Sequence, residues 1–307
     1  MPESVLIVGT GALACLFAAR LAALGVEVTM LGTWREGLLA LMQWGVTLVQ
    51  TDGHQTSYKV KATDNPADCA GARYALVLVK AWQTESAAER LAQCLADDGL
   101  ALTLQNGLGN YETLAAALGP ERVALGTTTT GATLLSSGRV RPGGEGVVSV
   151  GAHERLGPLA GLLKQAGFNV ETLADVQTLI WGKLVINAAI NPVTALLRTA
   201  NGEILTRESA WGLSAQLARE VAAVAAAKGI ELAFDDPAAA AEKVAERTAG
   251  NHSSMYQDIQ RGAPTEIDAI CGAVVAAGRE AGVPTPANEV VWQLVKALRE
   301  GQRGTEV

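Results

Sequence analysis

A small-residue turn between two short apolar runs constrains the fold of this chain more than any other feature. Residues 4–8 form an apolar run suited to a strand buried on both faces, a helical pattern covers residues 15–24, and a second strand-like run covers residues 27–31. Between the first strand and the helix, the sequence reads Gly9-Thr10-Gly11-Ala12-Leu13-Ala14. A G-x-G-x-x-A motif in this context predicts a Rossmann-type dinucleotide-binding domain of the α/β class.

Each small residue of the motif has a physical role in such a domain. Gly9 permits the tight turn, Gly11 lets the backbone approach a pyrophosphate, and Ala14 lets the helix pack closely on the strand. The residues expected to bind the cofactor are Gly9, Thr10, Gly11, Ala12 and Leu13. The alternative interpretation is a tight turn with only a structural role.

The end of the second strand bears on the choice between NAD and NADP. NAD sites usually place Asp or Glu there, to bind the ribose 2′-hydroxyl. Here the strand is followed by Gly32, Thr33, Trp34 and Arg35, and the first acid is Glu36. Thr33 can hydrogen-bond a 2′-phosphate and Arg35 can pair with it, so the sequence favours NADP.

Two further apolar runs deliver polar residues to the edge of the sheet where ligands of open α/β sheets bind. Residues 75–79 lead to Lys80, and residues 100–104 lead to Asn106. Both side chains are candidates for contacting the nicotinamide end of the cofactor or the substrate. The alternatives are a solvated strand end for Lys80 and an Asn-Gly turn for Asn106.

The remaining patterns divide the chain into an α/β part and a helical part. A loop or hairpin is predicted for residues 45–58, strands for 59–62, 123–130 and 139–150, and a turn for 141–144. From about residue 175, helical patterns take over, at 176–197, 210–228, 237–248, 267–281 and 287–301. We therefore expect a Rossmann domain at residues 1–174 and an all-helical domain at residues 175–307.

Three polar residues recur every fourth position in the first of these helices. Lys183, Asn187 and Asn191 lie in one row on a helix, about 6 Å apart, with apolar residues around them. A buried lysine is costly, and burial lowers its pKa toward the range useful for acid–base work. The alternative is a lysine that reaches water, with asparagines that cap neighbouring backbone.

Two polar motifs stand out later in the helical part. Ser253 and Ser254 are candidates for helix caps or for donors to an anion. Thr265 and Glu266 read as the start of a helix, with Thr265 as the N-cap and acids in the first turn. Stabilisation of the helix dipole would by itself explain Glu266.

Composition restricts the classes of partner. The 307 residues are 49% hydrophobic and 18% charged with a net charge of −7, and no run of Lys and Arg is present. This argues against nucleic acid or an anionic membrane as a partner. The four cysteines have no metal-type spacing and the three histidines are far apart, so we expect no metal site and a cytoplasmic protein.

Together these motifs resemble those of the ketopantoate reductases (2-dehydropantoate 2-reductases), nearly from end to end. The row of Lys183, Asn187 and Asn191, followed by the serine and glutamate motifs, is the most specific part. The other matching segments are Gly9-x-Gly11, Lys80-Ala81-Trp82-Gln83, Gln105-Asn106-Gly107, Ser253-Ser254-Met255 with Gln257-Asp258, and Thr265-Glu266-Ile267-Asp268. There are two departures: Ala14 as the third small residue of the motif, and Thr33 where an arginine is expected.

The resemblance implies an enzyme that binds NADPH and a small 2-oxo acid, with roles for particular residues. Lys183 would be the general acid, and Glu266 would help to hold the substrate and the lysine. Asn106, Asn187, Asn191 and Ser254 match positions that contact substrate or organise the site, and Lys80 and Gln83 match positions near the cofactor.

The implied reaction is hydride transfer to the C2 carbonyl of ketopantoate, which gives pantoate. Two alternatives remain open. One is a related NAD(P)-dependent reductase of another 2-oxo or 3-oxo acid, and the other is a catalytically silent NADP-binding regulator. The alanine-rich segments 210–228 and 287–301 fit either a homodimer face or the core.

Overall fold

The computed structural model describes residues 4–303, with side chains for all of these except 299 and 301–303. Within that range the chain forms two compact units. The first comprises residues 4–105 and Asn110–Val176, and the second comprises Asn106–Gly109 and residues 177–303. The four residues Asn106–Gly109 therefore belong to the second unit, although the residues on both sides of them in the sequence belong to the first.

The first unit contains two β-sheets and five α-helices. Its strands are β1 Ser4–Val8, β2 Glu27–Leu31, β3 Val46–Val49, β4 Gln55–Tyr58, β5 Lys61–Thr63, β6 Ala72–Val77, β7 Leu95–Thr103, β8 Val123–Thr128, β9 Gly131–Ser136, β10 Arg139–Gly144, β11 Val147–Gly151 and β12 Asn169–Leu173. Its helices are α1 Ala12–Ala23, α2 Arg35–Trp44, α3 Thr84–Cys94, α4 Asn110–Leu118 and α5 Gly157–Gln165, with 3₁₀ turns at Pro66–Cys69, Ala81–Gln83 and Pro120–Arg122.

The main sheet has eight strands in the order β12-β11-β8-β7-β6-β1-β2-β5. Its neighbours pair in parallel, except β8 and β11, which pair antiparallel. Because β1 lies between β2 and β6, the strand order reverses beside β1, and the carboxyl end of β1 is the point where such sheets bind ligands. The hydrophobic core of this unit includes Phe17 of α1, whose ring stacks on that of Phe168 with 4.0 Å between the ring centroids.

A second, four-stranded sheet has the order β4-β3-β10-β9. The expected hairpin at residues 45–58 is its antiparallel pair β3 and β4. The turn predicted for residues 141–144 is wrong, because these residues belong to β10 and pair with β9. Pro142 is tolerated there since β3 pairs only with Arg139 and Val140, which leaves Pro142 without a ladder partner on that side.

The second unit is helical apart from its loops. Its elements are α6 Gln177–Leu197, a 3₁₀ turn Asn201–Ile204, α7 Glu208–Ala227, α8 Pro237–Arg247, α9 Ser254–Gln260, a π-helical turn Asp268–Gly272, α10 Ala273–Ala281 and α11 Pro286–Arg303. In the described part of the chain, α6 alone has the length and apolar composition of a membrane span, yet 72% of its most apolar window is buried in the protein. The core helix of a soluble protein has the same properties.

Candidate active site

The turn after β1 has the conformation and the close packing that its glycine requires. Gly9 has φ +127°, which is outside the range that L side chains adopt with ease. A Cβ there would lie 3.1 Å from the backbone carbon and oxygen of Leu78. The N–H of Gly9 donates to the carbonyl of Leu31 at 2.8 Å, so the turn is fixed to both neighbouring strand ends.

The next glycine has open space in front of it. Gly11 is the N-cap of α1, has φ −79°, and a Cβ added to it would meet no atom within 4 Å. The first turn of α1 holds no acidic residue, and Gly11 supplies no side chain to cap the helix. Backbone N–H groups of Ala12 and Leu13 at a helix start, beside open space, fit the pyrophosphate of a dinucleotide.

Thr33 and Arg35 are both exposed, and Arg35 is the first residue of α2. A second cationic residue close to this region was not found from the sequence. Arg90 of α3 donates through Nη1 to the carbonyls of Gly32 at 3.3 Å and Asp64 at 3.1 Å. Because Arg90 is distant in sequence from the end of β2, no local motif could have indicated it.

Lys80 directly precedes the short 3₁₀ turn Ala81–Gln83 that follows β6, and Gln83 is the last residue of that turn. Behind them, a polar network joins the ends of β6 and β7. The amide nitrogen Nε2 of Gln105 donates to the carbonyl of Val79 at 3.0 Å and to Thr84 Oγ1 at 2.8 Å. Thr84 Oγ1 in turn lies 2.8 Å from Asn110 Oδ1. The network fixes the backbone from which Lys80 projects.

The second unit holds the candidate catalytic group. The helix predicted around the polar row is α6, in which Lys183 and Asn187 are half-buried and Asn191 is buried. Burial lowers the pKa of Lys183 to about 8, while the carboxylate of Glu266 opposes this shift by raising it. Glu266 is itself only 5% exposed.

Asn106 joins this group as part of the segment Asn106–Gly109, which belongs to the second unit. Its side-chain Nδ2 donates to Glu266 Oε2 at 3.1 Å, across 160 residues of sequence. Asn106, Lys183 and Glu266 therefore form one cluster of an amide, an ammonium and a carboxylate within the second unit.

Ser254 is the first residue of α9, a helix that packs against α6. The preceding residue, Ser253, is the N-cap of α9 and accepts a hydrogen bond from the N–H of Tyr256 at 3.1 Å. The hydroxyl of Ser253 also lies 2.7 Å from Thr194 Oγ1 and donates to the carbonyl of Asn191 at 3.5 Å. These bonds hold the start of α9 against the last turns of α6.

The prediction that Thr265 is a helix N-cap is wrong. The helical segment begins as a π-helical turn at Asp268, with Ile267 before it. The hydroxyl of Thr265 is buried and has no hydrogen-bond partner among the described residues. Glu266 therefore precedes the helix, and its carboxylate accepts from Asn106 instead of capping a first turn.

The two groups of residues differ in the chemistry that they offer. The first unit offers backbone N–H groups at a helix start and exposed polar and cationic side chains near the end of β2. The second offers an ammonium group with a pKa near 8, a buried carboxylate, several amides and a serine hydroxyl. Among residues 4–303, no group of three or more His, Cys, Asp and Glu side chains forms a metal site.

Two family models match the chain. The ketopantoate reductase PanE/ApbA model matches residues 5–155, and the model of its C-terminal part matches residues 175–299. A 2-dehydropantoate 2-reductase of Archaeoglobus fulgidus is 37% identical over 304 residues, which are 97% of this chain and 99% of the relative. A 2-dehydropantoate 2-reductase of Vibrio cholerae is 32% identical, over 97% of this chain and 98% of the relative.

Solved structures agree with this result. A PanE/ApbA family ketopantoate reductase from Ralstonia eutropha superposes with a TM-score of 0.91 at 32% identity, over 98% of this chain and 99% of that chain. D-mandelate dehydrogenase with NADH and anilino(oxo)acetate also has a TM-score of 0.91, at 26% identity, over 97% of this chain and 99% of that chain. The predicted fold class, a Rossmann-type domain followed by a helical domain, is confirmed. The chain belongs to the ketopantoate reductase family of nicotinamide dinucleotide-dependent oxidoreductases.

Proposed function

We propose that this protein reduces 2-dehydropantoate (ketopantoate) to pantoate with NADPH, and that Lys183 is the general acid. The observation that carries the proposal is the interaction of Lys183 on α6, which has a pKa of about 8, with the buried carboxylate of Glu266. The names of the relatives, from Archaeoglobus fulgidus and Vibrio cholerae among others, supply the substrate.

NADPH, when bound, supplies the hydride that is added to the C2 carbonyl of the 2-oxo acid. As the carbonyl oxygen gains negative charge, the Lys183 ammonium stabilises it and then donates the proton that completes the hydroxyl. With a pKa of about 8, most of the lysine is protonated at neutral pH and yet it gives up its proton more readily than an ordinary lysine.

Glu266 has two tasks in this proposal. Its negative charge raises the pKa of Lys183 against the effect of burial and so keeps the ammonium protonated. Its carboxylate is in turn held by the side chain of Asn106. The carboxylate of the substrate would be bound by the neutral donors Ser254, Asn187 and Asn191, without a second fixed cation.

NADP is proposed over NAD because of the residues after β2. An acid at this point would repel a 2′-phosphate, whereas this chain has Thr33 and Arg35, both exposed. Lys80 and Gln83, after β6, would contact the same cofactor.

We further propose that the enzyme works in the cytoplasm, in keeping with its buried cysteines.

A second candidate function is the reduction of a different 2-oxo acid with NADH. The likeness to D-mandelate dehydrogenase, solved with NADH and an oxo acid, favours it. One panel of assays tests both candidates: ketopantoate, benzoylformate and other 2-oxo acids, each with NADPH and with NADH. The proposal predicts that ketopantoate with NADPH has the highest kcat/KM. A higher kcat/KM for another acid, or for NADH, would replace it with the second candidate, and a cofactor bound without any turnover would favour a silent regulator.

A further inference from the structure

The segment Asn106–Gly109 binds directly to the π-helical turn Asp268–Gly272. The N–H of Leu108 donates to the carbonyl of Ala269 at 2.9 Å. Two residues earlier in the segment, Asn106 donates to Glu266, which lies just before the same turn. The segment thus contacts the turn and the proposed catalytic carboxylate at once.

Gly107 makes this close approach feasible. Its φ is +81°, and a Cβ added to it would lie 2.3 Å from the carbonyl oxygen of Ala269 and 2.7 Å from the carbonyl carbon. Real Cβ atoms do not come so close, and the atoms in the way are backbone atoms of the turn rather than the end of a flexible side chain. Any larger residue at position 107 must therefore displace the turn or the segment.

The π-helical turn is also supported by α11. The indole Nε1 of Trp292 donates to Asp268 Oδ1 at 2.7 Å. A Cβ on Gly272 would lie 3.0 Å from the Trp292 ring, so the ring is packed against the turn. Gly272 itself donates to the carbonyl of Ile267 at 3.0 Å, the five-residue spacing of a π-helix. Such turns are frequent at functional sites.

We propose that the π-helical turn, held between Gly107 and Trp292, positions Glu266 for its hydrogen bond with Asn106 and its electrostatic interaction with Lys183. Gly107 is then a positioning residue, which acts by letting the turn lie where Glu266 interacts with the lysine. The inference rests on the proposed function, since it gives a role to the pair of Glu266 and Lys183.

The chain offers a matched control for the test. Gly109 has φ +89°, close to that of Gly107, but a Cβ added to it would meet nothing within 4 Å. Gly107→Ala combines backbone strain with the collision against Ala269, whereas Gly109→Ala has the strain alone. The difference between the two variants therefore reports the contact with the turn.

The first readout is the pH dependence of kcat/KM for the best 2-oxo acid of the panel. Displacement of Glu266 removes a charge that raises the pKa of Lys183, so the fall in activity at alkaline pH should move to lower pH in Gly107→Ala. In Gly107→Ala we expect kcat/KM at pH 7 to drop at least about tenfold, with NADPH affinity retained. In Gly109→Ala we expect a smaller drop in kcat/KM and no shift of the pH profile. Equal losses in the two variants, or an unshifted profile in Gly107→Ala, would overturn the inference.

A second readout separates this inference from the proposed function. After reductive ¹³C-methylation of the lysines, NMR follows the titration of Lys183, identified by the resonance that Lys183→Arg lacks. The titration should move to lower pH in Gly107→Ala even if the enzyme reduces no ketopantoate. Trp292→Phe keeps an aromatic ring but removes the indole N–H, and it should shift the titration in the same direction if Gly107→Ala does not fold. If both variants fold and the titration of Lys183 is unchanged in both, the positioning role is refuted. If Gly107→Ala does not fold, an unchanged titration in Trp292→Phe refutes it.

Discussion

Raising the pH from 7 to 9 should lower the activity of this enzyme about tenfold. Lys183 must be protonated to donate its proton, and burial places its pKa at about 8. The protonated fraction then falls from about nine-tenths at pH 7 to about one-tenth at pH 9. A lysine with an ordinary pKa near 10.4 would stay almost fully protonated over the same range.

The quantity to measure is kcat/KM for ketopantoate at saturating NADPH, because it reports the pKa of the enzyme before the keto acid binds. The profile is recorded at constant ionic strength, from the loss of NADPH absorbance, and the NADPH affinity is checked at each pH. A profile that is flat up to about pH 10 would refute the role of Lys183 or its lowered pKa.

The neutral substitution Glu266→Gln gives the sign of the electrostatic effect. Glutamine retains an oxygen that accepts from Asn106 but loses the charge that raises the pKa of Lys183. The alkaline fall should therefore move to lower pH, while Glu242→Gln, at an exposed position on α8, should leave it in place. A shift to higher pH in Glu266→Gln would contradict the electrostatic reasoning.

Three further predictions concern stability and the cofactor. The buried carboxylate of Glu220 accepts hydrogen bonds from two backbone N–H groups at the start of α11 and from Nδ2 of Asn288, each at 2.9 Å. Glu220→Ala should therefore lower the free energy of unfolding by about 3 kcal/mol. An unchanged denaturant midpoint would speak against this role. Gly11→Ala should weaken NADPH binding at least about tenfold, since its Cβ would enter the open space before α1, and should leave the thermal midpoint nearly unchanged. Gly9→Ala should also destabilise the fold. Equal thermal midpoints for the two variants would be inconsistent with the packing of Gly9 against Leu78. Arg35→Ala should raise the Kd of NADPH about tenfold and change that of NADH little, and equal effects on both would remove Arg35 from the 2′-phosphate site.

The first half of the fold was predictable because its signals are local. The strands expected at residues 4–8 and 27–31 are β1 and β2 with the same bounds, since each is an apolar run that ends at a loop with glycine. Gly9 and Gly11 were expected to serve the turn and the approach of the cofactor, and their backbone geometry fits those tasks.

The polar row on α6 was visible for a similar reason. A spacing of four residues within an apolar stretch specifies one face of a helix, and the structure has that helix. The lowered pKa of Lys183, opposed by Glu266, also has the direction expected from burial and charge. The catalytic and binding roles of these residues stay predictions.

The contacts that organise the candidate site were not predictable, because they join residues that are far apart in sequence. Nothing local indicates that Asn106 belongs to the helical unit, where it meets Glu266. The π-helical turn was missed because residues 267–281 have the pattern of one continuous helix. Thr265 has the residue type of an N-cap, but the helix begins only at Asp268, three residues later.

The most direct test of the central claim is the turnover of Lys183→Ala on ketopantoate with NADPH, measured together with the Kd of NADPH. If Lys183 is the general acid, kcat should fall on the order of 100-fold or more while the Kd of NADPH stays close to that of the unmodified enzyme. A kcat equal to that of the unmodified enzyme would contradict the assignment of Lys183 as the proton donor.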